Sequence, residues 1–202
     1  MILASASPRR RELLARILTD FTIEPAQIDE AEVFRDFRGS GGKIAGTPKI
    51  LNPQKLVELL ALKKAEYVRD RHPQEFVLGA DTIVLKDEEV LSKPRDKQEA
   101  INMLRALSGA WHEVHTGVAI LTPRETLVFS DIARVKFNEL DHYQEELIQA
   151  YVASGHPLDK AGAYGIQEEG AFLVEKISGD FYTVMGLPLN LTRRYLAKLG
   201  LV

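Results

Sequence analysis

The sequence predicts an α/β protein built on a mixed β-sheet. Short apolar stretches typical of strands alternate with amphipathic stretches typical of helices, a pattern that favours strand–helix–strand units. Two neighbouring stretches, 111–121 and 127–137, are joined by the turn Thr122-Pro123-Arg124-Glu125 and predict an antiparallel hairpin. Because crossovers and hairpins both occur, we expect strands of both directions in the sheet.

The composition is that of an ordinary globular protein. The 202 residues suit one domain, and the net charge of −3 provides no basic field for nucleic acid or membrane binding. There are no cysteines, which excludes disulfides, thiolate metal sites and a cysteine nucleophile. The apolar start at 1–4 is too short for a signal peptide, and no stretch has the length of a membrane span. We expect a soluble, cytoplasmic protein.

In the N-terminal half, Ser7 is the predicted N-cap of the first helix and Asn52 that of the second. The segment 31–52 contains Gly39-Ser40-Gly41-Gly42 and Pro48, Pro53 follows it directly, and we expect it to be a flexible loop. The expected elements are a strand at 1–4, a helix at 8–18, a strand at 21–24 and a helix at 56–68.

In the C-terminal half, Asp96 with Glu99 and Asp141 with Gln144 have capping-box spacing and predict two helix starts. Gly109 can end the first of these helices in a left-handed conformation. The expected elements are a strand at 76–84, an extended segment at 90–94, helices at 96–107 and 141–152, the hairpin 111–137, a strand at 172–178 and a helix at 188–199.

Asp81 is the first candidate functional residue. It is the only carboxylate in the apolar strand 76–84, and Gly79 precedes it by two residues. An ionised carboxylate inside a buried strand is costly unless a cation or hydrogen-bond donors compensate it, and a glycine in a strand often marks a close backbone approach. The alternative is that Asp81 ends the strand or anchors a structural hydrogen bond.

The start of the first helix is a candidate anion site. Ser7-Pro8 is followed by Arg9, Arg10 and Arg11. Each cation at a helix N-terminus is unfavourable by about 0.3–1 kcal/mol, because the helix dipole is positive at that end. Free backbone N–H groups, a capping serine and arginines together can bind a phosphate group. The alternative is a solvated basic face.

A loop of small residues at 157–167 is the other candidate ligand contact. Its glycines allow a ligand to approach the backbone, and Lys160 could bind a phosphate, although a structural turn with an exposed lysine explains the pattern as well. Lys64 and Lys93 are further cations near predicted helix and strand ends. If these groups converge with Asp81, they do so in a cleft between two lobes.

Two familiar motifs are excluded. Gly42-Lys43 lacks both the earlier glycine and the following Ser or Thr of a phosphate-binding P-loop. His112 and His115 are three residues apart on a predicted strand, so they point to opposite faces and cannot bind one metal ion.

Taken together, several segments resemble the Maf family of nucleoside triphosphate pyrophosphatases. They occur in family order and span nearly the whole chain. The matching segments are Leu3-Ala4-Ser5-Ala6-Ser7-Pro8-Arg9-Arg10, Gly79-Ala80-Asp81-Thr82, Lys93-Pro94-Arg95-Asp96, the run 154–167 ending in Lys160-Ala161-Gly162-Ala163-Tyr164-Gly165-Ile166-Gln167, and Gly186-Leu187-Pro188-Leu189.

The resemblance implies a single domain over 1–202, two-lobed around a twisted mixed β-sheet flanked by helices, with the active-site cleft between the lobes, and a homodimer. It implies that Asp81 is the proton acceptor and that Glu30 joins it in binding a metal. The implied phosphate-binding residues are Arg10, Lys64 and Lys93, to which the residue patterns above add Ser7 and Lys160. The implied specificity positions are Arg9, Thr82 and Gln167.

Within the family, the residues around Asp81 and at 160–167 resemble the branch that hydrolyses dTTP and UTP. A glutamine amide such as that of Gln167 can accept from the imide N–H of thymine or uracil and donate to the adjacent carbonyl. Cytosine reverses this pattern and would leave buried groups unpaired.

The expected activity is hydrolysis of dTTP and UTP to the monophosphate and pyrophosphate, with Mg²⁺ or Mn²⁺ as cofactor. Such a house-cleaning enzyme would act on normal or modified pyrimidine nucleotides. Two alternatives stay open at this point. One is a non-catalytic, nucleotide-binding regulator of septum formation and cell division; the other is a purine-directed, inosine triphosphatase-like pyrophosphatase.

Overall fold

The computed structural model describes residues 1–39 and 52–202 and confirms the α/β class. A 7-stranded mixed sheet has the order β2-β1-β3-β5-β6-β7, with β4 added to β3. The strands are β1 (Ile2–Leu3), β2 (Thr22–Ile23), β3 (Val77–Lys86), β4 (Glu89–Leu91), β5 (Trp111–Leu121), β6 (Thr126–Phe137) and β7 (Val174–Ser178).

Helices cover both faces of this sheet. Their bounds are α1 (Pro8–Ala15), α2 (Glu30–Gly39), α3 (Pro53–Arg69), α4 (Lys97–Leu107), α5 (His142–Ala153), α6 (Phe181–Met185) and α7 (Leu189–Lys198). Short 3-10 turns lie at His156–Asp159, Ala161–Ala163 and Glu169–Leu173. In the described part of the chain, none of these helices is both long and apolar enough to cross a membrane.

The strand β3 divides the core because alternate side chains point to opposite faces. Leu78, Ala80 and Val84 pack into the larger core with α1, α4, α5, α6 and α7. On the other face, Val77, Ile83 and Leu85 pack against α3. Helix α2 also packs against the cluster that contains Ile83 and Leu85. Asp81 therefore belongs to the α3 face, and Thr82 belongs to the opposite face.

Two glycines bring α3 close to the centre of the sheet. A Cβ atom at Gly79 would clash with the Ala61 carbonyl oxygen, and one at Gly117 would clash with the Val57 carbonyl oxygen. Gly117 is the β5 partner of Asp81. The backbone of α3 thus lies directly over the part of the sheet that carries Asp81.

An interruption in the strand pairing positions the candidate site. On one edge of β3, β1 pairs with Val77 and Leu78, and β4 pairs with the stretch from Val84 to Lys86. Among the described residues no strand covers 79–83 on this edge, whereas β5 runs along the whole opposite edge. We call this gap in the sheet, centred on residues 79–83, the notch. It lies beyond the carboxyl end of β1, where ligands bind in many α/β sheets.

The main correction concerns the segment predicted as a flexible loop. Residues 30–39 form α2, because the Asp29 carboxylate accepts the Glu32 N–H at 3.1 Å and Val33, Phe34 and Phe37 pack beside α3. The remaining part of that prediction, residues 40–51, lies outside the described residues. The first helix ends at Ala15 rather than at residue 18, and the five-residue α6 was not predicted.

Candidate active site

A lysine bridges two carboxylates on the α3 side of the notch. The Lys64 ammonium contacts Asp81 Oδ1 and also lies 2.7 Å from Glu30 Oε1. The Lys64 and Asp81 side chains are only 12% and 10% exposed, whereas Glu30 is 50% exposed. Three distant parts of the chain thus meet at one cation, which compensates the buried Asp81 charge.

The pKa of Glu30 reports the positive potential at this point. Burial raises the pKa of the Glu30 carboxyl, but the attraction of Lys64, Lys93 and Arg10 outweighs burial and holds it below 4.5. The Lys93 side chain itself is exposed, in the segment that follows β4. Lys93 and Arg10 therefore add to the positive potential that Lys64 creates at Glu30.

Arg10 lies on the opposite side of β3. Its Nε donates to the Gly186 carbonyl oxygen at 2.9 Å, Nη1 to Ser5 Oγ at 3.4 Å and Nη2 to Thr82 Oγ1 at 3.0 Å. Burial lowers the pKa of the guanidinium, and the Asp81 and Glu30 charges oppose that shift. A guanidinium has five N–H donors, so two are left for a ligand after these three contacts.

The helix that carries Arg10 begins as predicted. Ser7 is the N-cap of α1, its hydroxyl oxygen accepts the Arg10 N–H at 3.4 Å, and Pro8 occupies the first turn. Ser7 is half-buried. The α1 N-terminus therefore presents backbone N–H groups beside the notch, an arrangement suited to an anion.

A row of hydroxyl groups extends from Arg10 into the core. Thr82 pairs with Thr116 across β3 and β5, with 2.9 Å between the two Oγ1 atoms. Thr116 Oγ1 donates to the Thr183 carbonyl oxygen at 2.8 Å, and Thr183 Oγ1 donates to Asp131 Oδ2 at 2.5 Å. Sequence reasoning missed Thr116, Thr183 and Asp131; their only sequence signal is polarity inside strands and a helix that are otherwise apolar.

Lys160 has a different environment from the one expected for a phosphate contact. Its ammonium donates to the His156 carbonyl oxygen at 2.6 Å and to Asp159 Oδ1 at 2.7 Å, and it forms an ion pair with Glu168 Oε2 at 3.1 Å. The side chain is only 5% exposed. Three protein oxygens thus surround the ammonium, which favours a structural role over the predicted phosphate contact.

The loop held by Lys160 carries Gln167. Gln167 Nε2 donates to Glu168 Oε1 at 3.2 Å, and Gln167 Oε1 is buried with no partner in the described residues. Gly162 of the same loop packs against the Val84 side chain, which is on the Thr82 face of β3. Burial opposes the shift, but the positive charge of Arg9 contributes to lowering the pKa of Asp159 in this loop. The loop that carries Gln167 thus packs on the face of the sheet that carries Thr82.

Glu30 and Asp81 could bind a divalent metal ion only together with oxygen atoms of a bound ligand. Within 1–39 and 52–202, no group of three His, Cys, Asp or Glu side chains could hold a metal ion. Glu30 and Asp81 nevertheless converge on a single cationic nitrogen, and both supply the oxygen ligands that Mg²⁺ and Mn²⁺ prefer. Phosphate oxygens of a ligand would complete the coordination.

Comparison with known proteins gives a consistent result. A family model described as "Maf-like protein" matches residues 1–199. A "dTTP/UTP pyrophosphatase" of Symbiobacterium thermophilum is 46% identical over 99% of this chain and 94% of its own length. Proteins with the same name from Geobacillus sp. and Aquifex aeolicus are 44% and 43% identical, over 99% and 100% of this chain and 98% and 96% of their own lengths.

Among solved structures, one described as the Staphylococcus aureus Ham1 protein aligns with 98% of each chain at 12% identity and a TM-score of 0.48.

Proposed function

The chain belongs to the Maf family, and on this premise we propose that it hydrolyses dTTP and UTP to the nucleoside monophosphate and pyrophosphate. The observation that carries the proposal is the notch itself. A buried carboxylate, Asp81, lies there with Lys64 against it and with Arg10 on the opposite side of the same strand. Opposite charges beside the notch suit a triphosphate tail and a water nucleophile.

In the proposed reaction a water oxygen attacks the α-phosphorus. A new P–O bond forms, the bond from the α-phosphorus to the oxygen that bridges to the β-phosphorus breaks, and pyrophosphate leaves with that oxygen. Asp81 accepts the proton of the attacking water. Only a group that reaches the substrate can do this, and Asp81 lies at the centre of residues 79–83, which no described strand covers on one edge.

The cationic residues are assigned to the phosphates. Lys64 uses two of its three donors on Asp81 and Glu30 and has one for a phosphate oxygen. Arg10 contributes the two N–H groups that its protein contacts leave over. Lys93, at the end of β4, and the α1 N-terminus at Ser7 complete this set.

We assign Mg²⁺ or Mn²⁺ to Asp81 and Glu30 together with phosphate oxygens. When bound, such an ion neutralises phosphate charge as the transition state forms. Lys64 already shows that these two carboxylates can share one cation.

The base preference is assigned to Arg9, Thr82 and Gln167. Gln167 Oε1 is a buried acceptor without a partner in the described part of the chain, and leaving such a group unpaired costs about 1–3 kcal/mol. The imide N–H of thymine or uracil would satisfy it, whereas cytosine offers another acceptor at that position. A homodimer and a cytoplasmic location are further parts of the proposal.

A substrate panel tests the function. We expect pyrophosphate release from dTTP and UTP at rates at least tenfold above those with dCTP, ATP, GTP and ITP, and loss of activity with EDTA. Binding of nucleotides without any pyrophosphate release would instead support a non-catalytic regulator. Preferential hydrolysis of ITP would support a purine-directed enzyme.

A further inference from the structure

A lysine with almost no exposed surface holds the carboxylate that follows Gln167 in the chain. The Lys160 side chain is only 5% exposed, and its ammonium lies 3.1 Å from Glu168 Oε2. Both side chains pack over Gly165, where an added Cβ atom would come within 2.7 Å of Lys160 Cε and 3.3 Å of Glu168 Oε2. The Glu168 backbone N–H also donates to the Gly165 carbonyl oxygen at 3.2 Å. The loop itself therefore fixes one oxygen of the Glu168 carboxylate.

The other oxygen of this carboxylate faces Gln167. Gln167 Nε2 donates to Glu168 Oε1 at 3.2 Å. An ionised carboxylate only accepts hydrogen bonds, whereas a glutamine amide has an oxygen that accepts and a nitrogen that donates two. Glu168 can therefore pair with the nitrogen end of the Gln167 amide and not with its oxygen end. That oxygen, Oε1, is the atom that is buried without a partner in the described residues.

The orientation of the Gln167 amide decides which base it can match. With Oε1 toward the base, the amide accepts from the imide N–H of thymine or uracil, and the second hydrogen of Nε2 can reach the adjacent carbonyl oxygen. Turned over, the same amide would donate to the ring nitrogen of cytosine and accept from its amino group. The two orientations have nearly the same shape, so a hydrogen-bond partner is needed to select one of them.

We propose that Glu168 is a positioning residue that holds the Gln167 amide in the orientation that accepts from thymine and uracil. Turning the amide over would place Gln167 Oε1 against Glu168 Oε1, two acceptors without a hydrogen between them. Lys160 contributes by holding the Glu168 carboxylate in place. This inference rests on the proposed function, in which Gln167 contacts the base.

The decisive experiment is E168Q, which keeps the shape of the side chain and replaces one oxygen by an NH₂ group. The Lys160 ammonium only donates, so it should hold the oxygen end of the new amide and leave the nitrogen end facing Gln167. The Gln167 amide should then turn over and present Nε2 to the base. We expect the preference for dTTP over dCTP in kcat/KM to fall about five- to tenfold, the size of one hydrogen bond.

The activity with dCTP separates positioning from damage to the loop. The turned-over amide matches cytosine, so kcat/KM for dCTP should rise about two- to threefold in E168Q, whereas a damaged loop would lower the activity with both nucleotides. Equal losses with dTTP and dCTP would overturn the proposal. So would a preference that falls through loss of dTTP turnover alone.

Two further variants complete the test. E169Q is the matched control, because Glu169 is the next residue, its side chain is 57% exposed, and the substitution removes the same charge. Its preference should stay within about twofold of that of the unmodified protein. In a Q167A background, E168Q should change the preference no further, since it acts through the Gln167 amide. Additive effects in this double variant would contradict the proposal.

Calorimetric binding of dTMP and dCMP makes the test independent of turnover. The affinity ratio should change in E168Q by the same factor as the kinetic preference. Absence of pyrophosphate release by the unmodified protein would refute the proposed function, while the ratio of the two affinities would still decide the role of Glu168.

Discussion

Two lysines with little exposed side chain, Lys64 and Lys160, have similar surroundings but differ in their contacts. Lys64 and Lys160 each contact two carboxylates, Glu30 and Asp81 in one case and Asp159 and Glu168 in the other. Lys160 also donates to a backbone carbonyl oxygen, so three protein oxygens surround its ammonium, whereas two surround that of Lys64 among the described residues. We propose that this difference lets Lys64 bind a ligand while Lys160 holds a loop together.

The two lysines also differ in how far their contacting groups lie from them along the sequence. The groups around Lys160 come from residues 156–168, so they close a local loop. The groups around Lys64 come from α2, α3 and β3 and meet only in the folded protein. A largely buried charged cluster assembled from distant segments is costly to build, which is more readily explained by function than by stability.

The largest effect is expected for D81N, which removes the buried carboxylate beside Lys64. Asparagine has nearly the same shape but accepts no proton, so kcat should fall about 10²–10⁴-fold while the protein stays folded. D159N is the matched control because it removes the corresponding carboxylate beside Lys160, and its kcat should stay within about threefold. Pyrophosphate release and thermal melting measure both. Near-normal turnover in D81N would exclude Asp81 as proton acceptor.

Replacing each lysine by methionine should affect different properties: activity in the case of Lys64 and thermal stability in the case of Lys160. K64M loses a phosphate contact, and we expect kcat/KM to fall about 10²–10³-fold at a temperature where the protein is folded. K160M loses hydrogen bonds to charged groups worth about 1.5–3 kcal/mol, which corresponds to a melting temperature lower by about 3–10 °C. If K160M instead lost activity as severely as K64M without melting earlier, Lys160 would be a phosphate ligand as its sequence context suggests.

The pH dependence of activity should distinguish the lysines more finely. In the unmodified protein Lys64 and its neighbours hold the pKa of Glu30 below 4.5 against the effect of burial, so Glu30 stays ionised into acid. K64M removes the strongest of these attractions, and the Glu30 pKa should rise. The acid limb of the kcat/KM profile should then move to higher pH in K64M and stay in place in K160M. Superimposable profiles for K64M and the unmodified protein would show that Glu30 does not contribute to this limb.

Local sequence signals predicted most of the elements and fewer of the contacts. The N-caps Ser7, Asn52, Asp96 and Asp141 are confirmed, because a capping side chain acts within three residues of its own position. The resemblance identified Glu30, Lys64 and Asp81 together, but no local pattern shows that Lys64 lies between two carboxylates. The Thr116–Thr183–Asp131 row was missed because its members are neighbours only through strand register and the position of α6.

The smallest effect that we expect on turnover concerns Gln167, which the loop around Lys160 positions. Q167A removes the buried acceptor that has no partner, so the dTTP-to-dCTP ratio in kcat/KM should fall about tenfold while turnover of dTTP falls less. K160M should lower the same ratio, because its loop carries Gln167. The double variant should then show less than the sum of the two losses, since both act through one side chain. Fully additive losses would mean that Lys160 and Gln167 act independently, and the difference between the two lysines would have to be explained without the loop that carries Gln167.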